Sequence, residues 1–219
     1  MTKQLKIDFV SDVSCPWCII GLKSLETALG RLEGDVSADL HFQPFELNPQ
    51  MAPEGQNIVE HIGEKYGSTP EQSAQTRAMI RERAAGVGFE MRTSEQSRIY
   101  NTFDAHRLLH WAGLEGKQAE LKHALFTAYF TDGAVMSDQA TLADIAGKVG
   151  LNKEKAREIL SNDTYAEDVR ALEQFYQQQG INSVPAIIIN DKYLISGGQP
   201  VDVFERALKQ IATEPRDVA

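Results

Sequence analysis

The chain has 219 residues, of which 42% are hydrophobic and 24% charged. These proportions match globular domains and exclude fibrous and intrinsically disordered classes. The formal net charge of −9, without a basic stripe, argues against nucleic acid and anionic membrane surfaces as partners. No apolar run approaches the ~20 residues that cross a bilayer, and the N-terminus has no apolar signal segment, so we expect a cytoplasmic protein.

The first predicted elements are a strand, a helix and a second strand. Residues 5–10 alternate apolar and polar side chains, which is typical of a strand. Apolar residues at steps of three and four over 19–32 predict a helix, and alternation returns over 39–43. A strand, helix and strand in this order favour a parallel pair of strands with a right-handed crossover.

A long helical stretch follows, and the β pattern then returns. Residues 57–163 contain no convincing strand and predict four to six helices punctuated by glycines. The chain then predicts a helix, two short strands around the turn signal Asn190-Asp191, and a last helix, at 165–179, 186–189, 193–195 and 201–211. We therefore expect an α/β fold in which a helical block is inserted between two parts of one sheet.

The only two cysteines, Cys15 and Cys18, lie where the first strand passes into the first helix. Pro16 suits the first helical position, which makes Cys15 the residue that caps the helix. Its sulfur would then face the N–H groups of Trp17 and Cys18, and these donors together with the helix dipole favour the thiolate. We expect Cys15 to be an exposed nucleophile and Cys18, one turn later, to be the resolving thiol.

Two other interpretations of the cysteine pair remain open. A structural disulfide is unusual in a cytoplasmic chain with a sizeable core. A zinc site needs four ligands, and no second C-x-x-C or matching histidine pair is present, although a metal bridging two subunits is conceivable. We expect no metal and favour redox chemistry, with a non-catalytic redox sensor or metal-binding module as an alternative.

A second motif, Ser183-Val184-Pro185, precedes the strand at 186–189. Most X–Pro bonds are trans, and a trans proline at the start of a strand is the ordinary interpretation. A cis bond would instead turn the backbone of Val184 outward, where its N–H and C=O could pair with an extended substrate beside Cys15.

Several stretches together closely resemble the FrnE-like branch of the DsbA family, which shares its fold with 2-hydroxychromene-2-carboxylate isomerases and kappa-class glutathione transferases. The resemblance spans residues 5–211 and is carried by the stretches at 12–18, 45–49, 101–107, 183–185 and 195–199. It implies a thioredoxin fold, with a thioredoxin-like domain at 1–52 and 164–219 and an inserted helical domain at 53–163.

The resemblance also implies thiol–disulfide oxidoreductase activity on protein or small-molecule disulfides, through a mixed disulfide. It makes Cys15 the attacking thiol, Cys18 the resolving thiol and Pro185 a cis proline. The related isomerases and transferases carry serine in place of Cys15, which argues for dithiol chemistry. A glutathione-dependent isomerase or transferase stays as the alternative. No cofactor is required, glutathione is a possible electron partner, and relatives commonly form homodimers.

Five further residues are candidates for binding substrate. Ser14 and Trp17 flank Cys15, and Val184 precedes the proline. The resemblance places Asn48 where the related transferases bind glutathione, and it places His106 toward the cleft. Spacing alone favours ordinary roles: a turn for Asn48 and a buried, hydrogen-bonded site for His106.

Overall fold

The computed structural model describes residues 2–214, so the last five residues of the predicted 164–219 segment lie outside it. Within this range the chain forms six strands and nine helices. In chain order they are β1 Lys3–Ser11, α1 Pro16–Arg31, β2 Val36–Pro44, β3 Gln56–Asn57, α2 Ile58–Tyr66, α3 Pro70–Gly86, β4 Arg98–Ile99, α4 Phe103–Leu114, α5 Gln118–Phe130, α6 Gln139–Lys148, α7 Lys153–Leu160, α8 Ala166–Gln178, β5 Ala186–Ile189, β6 Tyr193–Ser196 and α9 Val201–Thr213.

The main sheet has four strands in the order β2-β1-β5-β6. Strand β1 runs parallel to β2 and antiparallel to β5, with Phe9 opposite both Phe42 and Ile187. The side chain of Phe9 is fully buried, as expected for the central strand of a sheet covered on both faces. The α/β class and the strand–helix–strand unit with a parallel pair are confirmed.

The turn between β5 and β6 has the predicted form. Asn190 and Asp191 both have positive φ, at 53° and 55°. Two successive residues in this region form the tight hairpin turn whose twist matches that of the flanking strands, and Asn and Asp tolerate it better than other non-glycine residues. The hairpin therefore fixes the pairing of Ile187 with Ile195.

Six helices, α2 to α7, lie between β2 and α8 in the described chain, within the predicted number. Asp138 and Asn152 cap α6 and α7 through their side chains. The expectation that this stretch contains no strand is wrong at one place, because β3 and β4 pair through Gln56 and Ile99. Two paired residues are too few to show a period of two, so the sequence carries no signal for them.

No helix among residues 2–214 combines the length and the apolar character needed to cross a bilayer.

Helix α1 is held against the loop that follows β6 by a contact between two glycines. A Cβ atom built on Gly198 would lie 2.7 Å from the carbonyl oxygen of Trp17. A Cβ atom on Gly21 would lie 3.0 Å from the Cα of Gly198 and 3.3 Å from Cγ of Pro185. Only glycine allows the backbones to approach this closely. The contact therefore brings the first turns of α1 next to Pro185.

We expect Gly198→Ala to destabilise the fold by about 1–3 kcal/mol, because the new methyl group overlaps a backbone oxygen that cannot move without moving α1. Urea unfolding followed by circular dichroism measures the change. The control is Gly30→Ala in α1. A Cβ atom on Gly30 would meet nothing within 4 Å, and helix propensity favours alanine there by roughly 0.5–1 kcal/mol. Equal stability of Gly198→Ala and the wild type would contradict the close approach.

Candidate active site at the start of the first helix

Cys15 caps α1, and Pro16 occupies the first helical position, as predicted. The backbone of Cys15 is extended, with φ −89° and ψ 113°, and its carbonyl accepts the first helical bond from the N–H of Cys18 at 3.1 Å. Both cysteines are free thiols. The proline lacks an N–H, so the helix begins here without leaving a donor unpaired at that position.

The predicted exposure of Cys15 is wrong. Only 3% of the residue is exposed, and its sulfur makes no capping hydrogen bond to the helix N–H groups. The thiol instead donates to the carbonyl oxygen of Val184 at 3.7 Å. Packing against the segment before Pro185 removes the sulfur from the general surface, an effect that the spacing of the cysteines does not reveal.

Cys15 still lines a cleft of about 660 Å³. This volume is within the range of small-molecule and peptide sites. Ser14, Trp17, Asn48 and Val184 line the same cleft, so the structure brings these four predicted residues together with Cys15. The opposite side is formed by side chains of α2, α3 and the segment before β4, including Ile58, Ile62, Ile80 and Met91.

Three predicted site residues, Cys18, His106 and Pro185, do not line this cleft. His106 is 2% exposed and contributes to a second cavity of about 310 Å³, together with Lys122. The expectation that His106 lines the substrate cleft is therefore wrong. Its helix α4 packs on β2 and α5, and its Nε2 lies 3.7 Å from the buried carboxylate of Asp12. Pro185 is buried beside Gly21, and the Val184–Pro185 peptide bond is cis.

Asp12 organises the turn that leads to Cys15. The residue is fully buried. One carboxylate oxygen accepts from the N–H of Ser14 at 3.1 Å, and the other accepts from the N–H of Leu47 at 2.7 Å. His106 lies 3.7 Å from the first oxygen, an ion-pair contact longer than a hydrogen bond. Burial alone would raise the pKa of Asp12, but His106 and the two N–H donors hold it below its usual value.

The sequence analysis missed Lys122, a buried lysine on α5. The residue is 0% exposed, and its ammonium has no hydrogen-bond partner. The ammonium lies over the rings of Phe126 and Phe42, at 5.0 and 5.9 Å from their centroids. Burial lowers the pKa of Lys122 to about 8, although the nearby Cys18, Asp12 and Cys15 act in the opposite direction. A signal existed, since Lys122 interrupts the buried helical stripe of α5.

Cys18 is 0% exposed, in keeping with its predicted position toward the core. Burial raises the pKa of the Cys18 thiol well above its usual value, and the adjacent sulfur of Cys15 raises it further. The positive charge of Lys122 opposes both effects. The two thiols thus occupy different environments, one in the cleft and the other beneath it, beside a lysine.

The described residues contain no group of three or more His, Cys, Asp or Glu side chains placed to hold a metal ion. His106 Nε2 lies 3.7 Å from Asp12, and the ring of His110 contacts that of Tyr165 in a tilted arrangement, with 5.1 Å between the ring centroids.

Comparison with known proteins places this geometry in context. The family model of the DsbA-like thioredoxin domain matches residues 6–209 of this chain. The uncharacterized protein YwbO of Bacillus subtilis is 28% identical over 209 residues, which cover 95% of this chain and 96% of YwbO. The crystal structure of SCO1869, a probable DsbA oxidoreductase of Streptomyces coelicolor, is 32% identical and superposes with a TM-score of 0.91, covering 98% of this chain and 93% of that one.

A more distant structure has the same fold. The cytosolic disulfide reductase DsbM of Pseudomonas aeruginosa, solved with GSH, is 14% identical with a TM-score of 0.58, over 94% of this chain and 98% of that one. The family match covers both cysteines, the cleft and all four strands of the main sheet. The protein therefore belongs to the DsbA-like thioredoxin domain family.

Proposed function

We propose that the protein is a thiol–disulfide oxidoreductase in which Cys15 is the nucleophile and Cys18 the resolving thiol. The observation that carries the proposal is the placement of the two sulfurs. Cys15 lines a cleft large enough for a substrate, whereas Cys18 lies fully buried one helical turn away. This asymmetry suits a reaction in which one thiol meets the substrate and the other meets only the intermediate.

In the first step the Cys15 thiolate attacks one sulfur of a substrate disulfide. A bond forms between the Cys15 sulfur and that atom, and the substrate's S–S bond breaks, so that the second substrate sulfur leaves as a thiolate. The Cys15 thiol donates to the carbonyl of Val184 in the structure. When the Cys15 thiol loses its proton, it no longer donates this hydrogen bond. The carbonyl of Val184 can then accept a hydrogen bond from an N–H of a bound peptide substrate.

In the second step the Cys18 thiolate attacks the Cys15 sulfur, which releases the substrate as a thiol and leaves a Cys15–Cys18 disulfide. The pKa of Cys18 is raised partly by the neighbouring Cys15 sulfur, and that contribution ends when Cys15 becomes part of the mixed disulfide. The attraction of Lys122 remains. Cys18 therefore becomes a better nucleophile at the moment when its attack is needed.

The remaining site residues have proposed supporting roles. Ser14, whose buried hydroxyl has no hydrogen-bond partner among the described residues, would form a hydrogen bond with a substrate atom beside the reacting sulfur. Trp17 would cover the disulfide or stack on the substrate. Asn48, whose Oδ1 accepts from Lys65 at 2.7 Å, would contact a glutathione-like group. Pro185 would hold Val184 against Cys15.

Glutathione is our proposed electron partner, returning the Cys15–Cys18 disulfide to the dithiol while it is itself oxidised. The support is the GSH in the DsbM structure and the apolar and polar cleft next to Cys15. We further propose a cytoplasmic protein that forms a homodimer and divides into the host and inserted domains given above; sedimentation of the purified chain tests the dimer.

We expect Cys15→Ser to lose thiol–disulfide turnover, since no thiolate then faces the cleft. Cys18→Ser should still react once and then stall as a stable mixed disulfide. Insulin reduction with glutathione as donor measures turnover, and mass spectrometry of the stalled variant identifies the adduct. If Cys18→Ser retained turnover in glutathione-dependent isomerisation or conjugation, the dithiol cycle would be wrong and an isomerase or transferase would take its place.

Lys122→Met should slow the second step and stabilise the fold. Removing the cation raises the pKa of Cys18 further, and one pKa unit lowers the thiolate fraction about tenfold at fixed pH. The decay of a preformed mixed disulfide, followed by rapid quenching, measures this rate. Lys148→Met, at an exposed lysine, is the control. An unchanged decay rate would contradict the role of Lys122.

The stability of Lys122→Met should also depend on pH in a defined direction. The pKa of Lys122 is lowered to about 8 in the folded state, against about 10.4 for an ordinary lysine. At pH values between these two pKa values, Lys122 is more often protonated in the unfolded chain than in the folded protein. The free energy of unfolding of the wild type therefore rises with pH over this interval. Lys122→Met should therefore gain about 1–3 kcal/mol below pH 8, and the gain should shrink above it. Urea titrations at several pH values measure this dependence.

A further inference from the structure

A buried arginine lines the same cleft as Cys15 without a carboxylate partner. Arg77 lies on α3, is 8% exposed, and donates from Nη1 to the hydroxyl of Ser73 at 2.6 Å. No acidic side chain among residues 2–214 pairs with it. A buried cation without a counter-charge is unfavourable unless a ligand supplies one. The guanidinium of Arg77 is therefore suited to bind an anionic group of a ligand in this cleft.

The other charged groups of the cleft do not neutralise this arginine. Lys65 donates to two neutral oxygens, the carbonyl of Leu47 at 2.8 Å and the side chain of Asn48, and its ammonium lies 5.7 Å from the ring centroid of Tyr66. Among the described residues the acidic side chain in the lining is that of Glu46, which pairs with Arg170 outside the lining and accepts from Asn101. A chain with a net charge of −9 thus presents a cleft with a positive charge balance.

Part of the lining that α2 and α3 contribute is apolar. Helix α2 has no buried residue, yet its successive turns place Ile58, Ile62 and Tyr66 along the cleft. Tyr66 is exposed, and Ile80 of α3 continues the same wall. An amphipathic helix normally buries such a stripe against other elements. Here the stripe faces the space that a substrate of Cys15 would enter.

We propose that the preferred substrate is a peptide disulfide with an apolar side chain beside the cysteine and a carboxylate that binds Arg77. This inference rests on the proposed function, because it assigns the substrate of the same cleft. A guanidinium binds a carboxylate through two parallel N–H donors, which gives both affinity and orientation. The apolar side chains pack on α2 and α3, and the pairing of the carboxylate with Arg77 sets how far the substrate sulfur lies from Cys15.

The test uses a reference peptide and two analogues, one that lacks the carboxylate and one that lacks both apolar side chains. Acetylated and amidated Leu-Cys-Leu-Glu, Leu-Cys-Leu-Gln and Gly-Cys-Gly-Glu are each joined to 2-thiopyridine by a disulfide. The Cys15 thiolate attacks the peptide sulfur, thiopyridone leaves with the electron pair of the broken bond, and Cys18 then releases the peptide thiol. The peptide disulfide is reduced and the protein dithiol oxidised, and thiopyridone absorbance gives the rate.

The wild-type dithiol should react with the Leu-Cys-Leu-Glu peptide about tenfold faster, in the second-order rate constant of a single turnover, than with its glutamine analogue, which is the effect expected for one charge-assisted hydrogen bond. It should also prefer this peptide to the glycine peptide. Arg77→Gln should abolish the preference for glutamate, so that the glutamate and glutamine peptides react at equal rates. Arg77→Lys should restore part of it. Arg83→Gln, an exposed arginine of the same helix that does not line the cleft, is the matched control.

Three results would overturn the proposal: equal rates for the glutamate and glutamine peptides in the wild type, a glutamate preference that survives Arg77→Gln, and equal rates for the leucine and glycine peptides. The last would assign the cleft to a small anionic thiol such as glutathione. The peptide comparison needs no variant, so it stands even if Arg77→Gln fails to fold. Failure of the proposed function is separate, because then no peptide would react through Cys15.

Discussion

The buried carboxylate of Asp12 holds together the two segments from which the site is built. Through one oxygen it fixes Ser14 in the turn before α1, and through the other it fixes Leu47 in the loop after β2. The backbone carbonyl of Asp12 also accepts a hydrogen bond from the N–H of Cys15 at 3.2 Å. The position of the Cys15 sulfur and the position of one cleft wall therefore depend on the same side chain. A buried acid of this kind persists because each of its oxygens has a donor.

Two ionisable side chains lie fully buried beneath the cleft. Cys18 and Lys122 are both 0% exposed, and burial shifts their pKa values in opposite directions, since it disfavours the thiolate of one and the ammonium of the other. An apolar side chain in place of Lys122 would pack with less cost, because burial disfavours the ammonium. In the proposed cycle the effect of Lys122 on the pKa of Cys18 would offset that cost, in line with the general exchange of stability for activity.

Two parts of the chain line the cleft. The start of α1 with the preceding turn and the segment before β5 supply Cys15, Trp17 and Val184, whereas α2 and α3 supply the apolar stripe and Arg77. In the two proposals above, the first part would carry the thiol chemistry and the second would select the substrate, so the second could change without disturbing the first.

The sequence alone determined the elements and the reactive pair, because strand alternation, helical stripes, the Asn190-Asp191 turn and the Cys15-Pro16 helix start are local patterns. Only the tertiary structure decided that Cys15 lies inside a cleft, that His106 does not line it, and that Lys122 is buried near Cys18. It also decided the pairing of β3 with β4 and the place of the buried Arg77 in the cleft lining. These features depend on which surfaces pack together across long sequence separations, and burial, electrostatic coupling and cavity shape arise only from that packing.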